Sequence, residues 1–404
     1  MRRVAVTGVG VVSAIGQNAT DFFASLRAGA SGIRPVTGDY RGAQLRFPTA
    51  AQIADFDPQQ HFEPRQVDYL DRFAQLGMVA AREAVRDAGL VFNPDLASNT
   101  VIATGSSLGG KYIEDDGYFH MYAEGAQRFH PLSIAKAMHN ALTSHMAMEL
   151  GITGPAWTTS TACSSSNHAI GQAFWMLRNG SADCALVGGS EAPFSLGVLR
   201  AWEAMRVLST DTCRPFSKDR KGLVLGEGAA ILALEPMDHA LARGARIYAE
   251  VAGFGMSSDA HHLTMPSAVG AARAMRAALA DGGLDASAVQ YINAHGTGTL
   301  ANDRTETAAI HEVFGSHARN NLAVSSTKSM HGHTLGAAGA LEAVATVLSL
   351  SHGLLPPTCN YLGRDSDCDL DYVIEGCRQR KVKAALSNSF AFGGLNAVLL
   401  FKAV

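Results

Sequence analysis

Ala81-Arg82-Glu83-Ala84-Val85-Arg86-Asp87-Ala88-Gly89-Leu90 returns in altered form as Met275-Arg276-Ala277-Ala278-Leu279-Ala280-Asp281-Gly282-Gly283-Leu284, with Arg82 and Arg276 194 positions apart. Each copy reads as the end of an Ala-rich amphipathic helix closed by glycine. Each is followed by an apolar strand ending in a Gly-containing turn: Val101-Ile102-Ala103-Thr104-Gly105, then Tyr291-Ile292-Asn293-Ala294-His295-Gly296. Gly105 and Gly296 are 191 positions apart, so helix, spacer and strand recur together in nearly one register. A period near 200 residues is too long for a solenoid. It reads as a duplicated α/β half joined near 242–246, giving halves 1–244 and 245–404. Equivalent strand ends would then face one another across a pseudo-twofold, and one site could be built from both.

On either side of these repeats, short β-type runs at 3–7, 101–104, 184–187, 229–234, 289–294, 323–325, 384–386 and 397–401 alternate with helical stretches such as 73–88 and 271–280. That alternation argues for α/β layers, parallel strands covered by helices. The 404 residues, 47% hydrophobic, 17% charged and rich in glycine, suffice for two or three domain-sized units around a large core. A net charge of −3 gives no global attraction to nucleic acid. Six cysteines (163, 184, 213, 359, 368, 377) form no CxxC pair, so neither a zinc site nor a disulfide framework is indicated. No run approaches the roughly 18 uninterrupted apolar residues of a membrane span. A cytoplasmic, reducing setting is the expectation.

Gly8-Val9-Gly10-Val11-Val12-Ser13 follows the first strand and half-resembles a dinucleotide fingerprint. Ser13 replaces the third glycine, and no strand ending in an acidic residue follows about 20 residues later. A tight strand-to-helix turn is the expected reading, and a nicotinamide oxidoreductase is disfavoured.

Thr159-Ser160-Thr161-Ala162-Cys163-Ser164-Ser165-Ser166-Asn167 precedes a helical apolar stripe (Ala169, Ile170, Ala173, Phe174, Met176, Leu177) closed by Gly180. Cys163 therefore stands at or just before a helix N-terminus. Unpaired N–H groups and the helix dipole there favour thiolate over thiol and can receive a developing oxyanion. Farther on, Asn293-Ala294-His295-Gly296-Thr297-Gly298-Thr299 puts a histidine at a strand end. Ser325-Ser326-Thr327-Lys328-Ser329-Met330-His331-Gly332-His333 follows another strand, before a small-residue helix. Ser387-Asn388-Ser389-Phe390-Ala391-Phe392-Gly393-Gly394-Leu395-Asn396 is a Gly-flanked aromatic loop. His331 and His333 lack a third ligand at zinc spacing, so no metal is expected. His311, His317 and the pair His261-His262 read as structural.

Four of these motifs, Thr161–Ser165, His295–Thr299, the segment from Lys328 to Gly339, and Asn388–Asn396, resemble those of the β-ketoacyl-acyl-carrier-protein synthases of the decarboxylating elongation class, in that family's order and spacing. The likeness runs from Val4 to Phe401. It implies the thiolase fold, two duplicated halves in a layered αβαβα core. It implies Cys163 as nucleophile, His295 and His333 as the catalytic pair, and Lys328 as the charge that orients them. It implies an oxyanion hole from the N–H groups of Cys163 and Phe392, with Phe392 also gating the acyl pocket. Glu306 matches the acidic residue behind the Lys/His cluster. Thr297 and Thr299 match positions that bind the phosphopantetheine arm, Leu108 and Trp202 positions of the acyl tunnel, and Phe390 belongs to the same substrate-binding set.

The implied reaction is a decarboxylative Claisen condensation of an acyl-Cys thioester with a malonyl-carrier thioester. Its substrates ride on acyl carrier protein, and no resident cofactor is implied. The chain would work as a homodimer or beside a related, cysteine-less subunit. Being itself the non-catalytic chain-length partner is the alternative. A degradative thiolase would need a cysteine in 390–396, which has none. The segment 204–221 carries Arg206, Arg214, Lys218, Arg220 and Lys221 against Asp211 and Asp219, a candidate landing site for the acidic carrier. Arg206 also matches a docking position of the family. Three departures, His331, Ala391 and Leu395, leave Cys-His-His intact. They place the chain as readily among enzymes of aryl polyene, nodulation-factor or type II polyketide pathways as in housekeeping elongation.

Overall fold

The computed structural model describes residues 1–38 and 40–404. Ten strands form the main sheet: β1 (Val4–Ser13), β2 (Thr100–Gly105), β3 (Ala156–Thr159), β4 (Cys184–Glu191), β5 (Gly228–Pro236), β6 (Ala249–Ser258), β7 (Tyr291–Asn293), β8 (Ala323–Ser325), β9 (Ala384–Phe390) and β10 (Leu395–Lys402). Their spatial order is β8-β7-β9-β10-β6-β1-β5-β4-β2-β3. Read outward from the middle, β1-β5-β4-β2-β3 and β6-β10-β9-β7-β8 have the same order of first, fifth, fourth, second, third. Directions match too. The two inner pairings of each set are antiparallel and the two outer ones parallel. Antiparallel pairing of β1 with β6 joins the sets.

Helices make the remaining layers: α1 (Arg72–Ala88), α2 (Lys111–Ala123), α3 (Ser165–Arg178), α4 (Leu196–Met205), α5 (Ala268–Asp281), α6 (Leu300–Phe314) and α7 (Ala338–His352). α1 packs on β1 and β5, α5 on β6 and β10, and α6 on α5. α3 and α7 pack on each other and each touches strands of both sets. This is the expected αβαβα layering. The exposure of each helix follows its sequence. α1 is amphipathic and buries one face, whereas α7 is mostly apolar and buried from Ala338 to Leu350. The stretch 335–352 is long and apolar enough to cross a membrane by composition, and it lies inside this core.

Three sequence readings change. The strands are not simply parallel, since five of the nine pairings in the main sheet are antiparallel. The glycines at 8 and 10 are no turn; they lie inside β1, which runs on to Ser13. An added Cβ at Gly8 would sit 2.3 Å from the Ala84 carbonyl oxygen, and one at Gly10 2.0 Å from that of Ala80. Helix α1 therefore rides directly on the strand. The same device recurs in β6, a strand absent from the sequence reading because Gly253 and Gly255 depress its β signal. There a Cβ would sit 2.4 Å from the Ala278 oxygen and 2.2 Å from the Ala274 oxygen of α5. In both sets a Gly-x-Gly strand takes a helix through two alanines four residues apart, which permits close approach but needs glycine.

Candidate active site

β3 ends at Thr159, and the chain then turns sharply into α3. Ala162 takes a left-handed φ of 50°, a conformation costly for a residue with a Cβ. Small hydroxyls hold it. Ser165 Oγ accepts the Thr161 N–H (2.9 Å) and donates to the Ala162 carbonyl (2.6 Å), while Ser164 Oγ donates to the Thr161 carbonyl (2.9 Å). The polar cluster around the cysteine thus makes the turn that presents it. Glycines let the first turn of α3 settle between strand ends: a Cβ on Gly105 would lie 2.4 Å from Ser166 N, and one on Gly189 2.2 Å from Ser166 Oγ.

Cys163 lands immediately before α3, as its sequence position requires, but it is only 6% exposed. The expected thiolate is therefore opposed. Burial pushes the Cys163 thiol up to about 12, against the opposite pulls of Lys328 and of the Phe392 N–H directed at the sulfur. Desolvation outweighs the charge that favours ionisation, so the resting group is a thiol.

The second set supplies the histidines. His295 follows β7, and its backbone is clamped by Glu306, whose carboxylate accepts the His295 N–H (2.9 Å) and the Gly296 N–H (2.8 Å). Asn388 also donates to Glu306, at 3.1 Å. Glu306 thus lies behind the cluster, gripping main chain rather than Lys328. The carboxylate paired with Lys328 is Glu342 of α7, both side chains fully buried. The Lys328 ammonium also donates to the His295 carbonyl (2.7 Å) and faces His295 Nδ1 at 3.4 Å. His333 is fixed through its main chain, donating to the Val224 carbonyl (2.7 Å) and accepting from Gly226 N–H (3.0 Å). Its Nδ1 accepts the Leu335 N–H at 3.2 Å, and its Nε2 stands 3.1 Å from Cys163 Sγ.

Both rings are neutral. Burial, then Lys328, holds each histidine well below the usual imidazole range, with the facing ring adding to the effect at His295 and His331 at His333. In each, Nδ1 is turned to a donor, which leaves the proton on Nε2. The rings meet edge to face, centroids 5.4 Å apart. The arrangement offers two Nε2–H donors on the wall of one cavity with Cys163, that of His333 beside the sulfur.

These groups line a cavity that also takes in Thr297, Thr299, Trp202, Phe390 and Phe392. Trp202 stacks on Phe392 with centroids 6.1 Å apart, and Phe390 is 6.1 Å from the His295 ring. Thr297 and Thr299 share a 2.9 Å hydrogen bond, and Thr299 caps α6 by accepting the Asn302 N–H. Leu108 stands apart from this wall, half-buried in an apolar cluster with Phe194, Leu199, Leu335 and Trp202.

The basic segment is thinner than its sequence. Arg220 is buried, bonded to Asp365 (2.7 Å) and near Asp303 (3.6 Å), while Arg214 and Lys221 both pair with Asp211. Arg206, at the C-cap of α4, and Lys218 remain exposed. His331 is fully enclosed, one ring nitrogen against Thr327 Oγ1 and the other against the Gly332 carbonyl, both at 2.9 Å. Among the described residues no group of three His, Cys, Asp or Glu is placed to hold a metal.

Sequence reasoning missed two features. Glu342 sits in an apolar helix, and a lone carboxylate there is itself a signal that a buried cation needs a partner. The segment 262–266 also lines the cavity, with Leu263 and Met265 exposed at its rim, where only a structural histidine pair was read.

Family models match most of the chain: "Beta-ketoacyl synthase, N-terminal domain" over residues 1–240 and "Beta-ketoacyl synthase, C-terminal domain" over 248–362. Nodulation protein E of Rhizobium sp. (strain N33) is 48% identical over 404 residues, covering all of both chains. The 3-oxoacyl-[acyl-carrier-protein] synthase 2 of Synechocystis sp. is 42% identical over 99% of this chain and 98% of that one. Among solved structures, the ishigamide ketosynthase/chain length factor superposes with a TM-score of 0.94 at 40% identity, covering 100% of this chain and 99% of that one.

Proposed function

Because this chain belongs to the β-ketoacyl synthase family, we propose that its cavity is where an acyl group on Cys163 is extended by a malonyl unit, with His295 and His333 as the decarboxylating pair. The protein is an acyltransferase of the 3-oxoacyl-acyl-carrier-protein synthase type with the thiolase fold, condensing thioesters carried on phosphopantetheine.

The proposed reaction has three steps. Cys163 sulfur attacks the acyl thioester. The pantetheine sulfur leaves, and the thiol proton ends on it. Next the malonyl carboxylate breaks away as carbon dioxide, and its electron pair passes into an enolate whose oxygen receives the Nε2–H bonds of His295 and His333. Two neutral donors serve here, since an imidazolium would hold the carboxylate itself and oppose its loss. The enolate carbon then bonds to the acyl carbon. The resulting oxyanion takes hydrogen bonds from the N–H groups of Cys163 and Phe392, and its collapse expels the Cys163 sulfur, which regains a proton from solvent. Lys328, held by Glu342, keeps His295 in the donating tautomer. Glu306 fixes the His295 turn. Phe392, stacked on Trp202, closes the acyl side; Phe390, Thr297 and Thr299 flank the pantetheine approach, and Leu108 joins the apolar cluster against which Trp202 packs.

The halves 1–244 and 245–404 are read as the units that deliver nucleophile and histidines respectively. Arg206 is the docking cation for an acidic carrier protein. A homodimer suits the fold, and so does a pairing with a related subunit, of the kind named in the ishigamide ketosynthase/chain length factor. The six free cysteines suit a reducing, cytoplasmic setting.

The observation that carries this reading is the 3.1 Å approach of His333 Nε2 to Cys163 Sγ at the cavity wall. Incubation with an acyl carrier thioester tests it by intact mass. One acyl adduct is expected, absent in Cys163→Ala. A folded wild-type chain that takes no acyl group would instead be a non-catalytic partner subunit.

A further inference from the structure

We propose that Glu191 is a positioning residue for the condensation, fixing the tautomer and aim of His333 through the turn that follows that histidine. The inference rests on the role of His333 given above.

Glu191 ends β4 and is fully buried. Neutral donors surround its carboxylate. Oε1 accepts from Ser106 Oγ (3.0 Å) and Leu108 N–H (3.1 Å), and Oε2 from Ser107 N–H (2.7 Å) and Gly336 N–H (3.0 Å). Burial pushes this carboxyl up and the donors pull it back. A buried carboxylate is costly even when satisfied, and apolar side chains fill such space more favourably. Its four partners explain what it contributes.

Gly336 is the partner that matters. It is held from both sides, its N–H by Glu191 and its carbonyl by Ser166 Oγ, three residues after Cys163. A side chain there has no room: a Cβ would lie 2.4 Å from Ser107 N and 2.6 Å from Glu191 Oε2. With Gly336 pinned, Leu335 stands at a left-handed φ of 48° and its N–H lies on His333 Nδ1 at 3.2 Å, so a displacement of Gly336 is passed to the 334–335 peptide that carries this N–H. An imidazole that accepts at Nδ1 carries its proton on Nε2, the atom facing Cys163. Without this hold the turn relaxes, Nδ1–H becomes accessible, and Nε2 can no longer donate to an enolate.

The same carboxylate reaches the nucleophile. Ser107, whose N–H it binds, donates through Oγ to the Ala162 carbonyl at 3.1 Å. One group thus sets the spacing between the cysteine turn of the first half and the histidine turn of the second, without touching substrate.

The test uses the full-length protein with ¹⁵N-labelled histidine, His333 being assigned by difference from His333→Asn. Glu191→Gln sets an amide donor against N–H or O–H donors at whichever oxygen it replaces. Expected in the folded variant is a new Nδ1–H signal for His333. Malonyl decarboxylation should fall about tenfold or more, with KM for the malonyl carrier within about threefold. Ser166→Ala, which frees Gly336 from its other side, should shift the tautomer the same way by less. A merely structural carboxylate would lower the melting temperature and leave the tautomer alone. Folded Glu191→Gln with His333 wholly Nε2–H and decarboxylation unchanged overturns the proposal; should that variant not fold, the same result in Ser166→Ala does so. The tautomer measurement needs no substrate. Failure of the wild-type protein to decarboxylate malonyl carrier would strike the functional reading and leave this link still tested.

Discussion

The two halves share a strand order and even the Gly-x-Gly seat for a packed helix, yet they present opposite chemistry at equivalent strand ends. After its third strand the first half turns through Ala162 into α3 and offers a sulfur. After its third strand the second half runs through Lys328 to His333 and offers a hydrogen-bond donor. Topology places both loops at one cavity, and local residues decide what each loop does. The buried carboxylates differ in the same sense. Glu342 in the second half meets an ammonium, whereas Glu191 in the first half meets only N–H and O–H groups. One orients a charge and the other spaces two turns.

Removing the sulfur separates the halves most sharply. Cys163→Ala should lower condensation by about 10⁴-fold or more while malonyl decarboxylation continues, as measured by carbon dioxide release. Loss of both activities would mean that the second half does not act by itself. In the reverse direction, His295→Ala or His333→Ala should cut decarboxylation by about 10²–10³-fold. Acyl loading followed by intact mass should stay within a few-fold. Impaired loading with normal decarboxylation would reverse the assigned roles.

A finer contrast concerns the thiol. With burial holding Cys163 up at about 12, thiolate should grow about tenfold per pH unit across neutral and mildly alkaline pH. Alkylation by iodoacetamide should rise likewise without a plateau. A plateau below about pH 9, the ordinary thiol range, would show that the helix terminus outweighs desolvation. Because the folded thiol binds its proton more tightly than the unfolded one, this group also makes the fold lose stability as pH rises above the unfolded thiol range, up to the folded value. Last, Gly10→Ala and Gly255→Ala should each destabilise by about 1–3 kcal/mol through overpacking. Urea unfolding showing a cost in only one half would break the structural equivalence.

Much of this was legible in the sequence because it is local. The repeat at 81–90 and 275–284, the stripe after Cys163 and the Gly-flanked turns are periodicities and caps that few other structures satisfy. What stayed hidden is relational. Gly8 and Gly10 looked like a turn because glycine's reason here is a helix carbonyl far along the chain, at Ala84 and Ala80. Arg220 counted as surface charge until Asp303 and Asp365 closed over it. The thiolate expectation weighed the helix terminus, which sequence displays, and could not weigh burial, which it does not. Glu342 and Glu191 each make sense only beside partners from another part of the chain.

In the proposed function one half holds the acyl group while the other makes the carbanion that takes it. A single-turnover experiment tests it directly: Cys163 is loaded from an acyl carrier thioester, excess carrier removed, malonyl carrier thioester added, and the protein weighed over time. The adduct should disappear as carbon dioxide and a 3-oxoacyl carrier two carbons longer appear in equal amounts. An adduct that persists while malonyl carrier is consumed, or one that never forms, would contradict it.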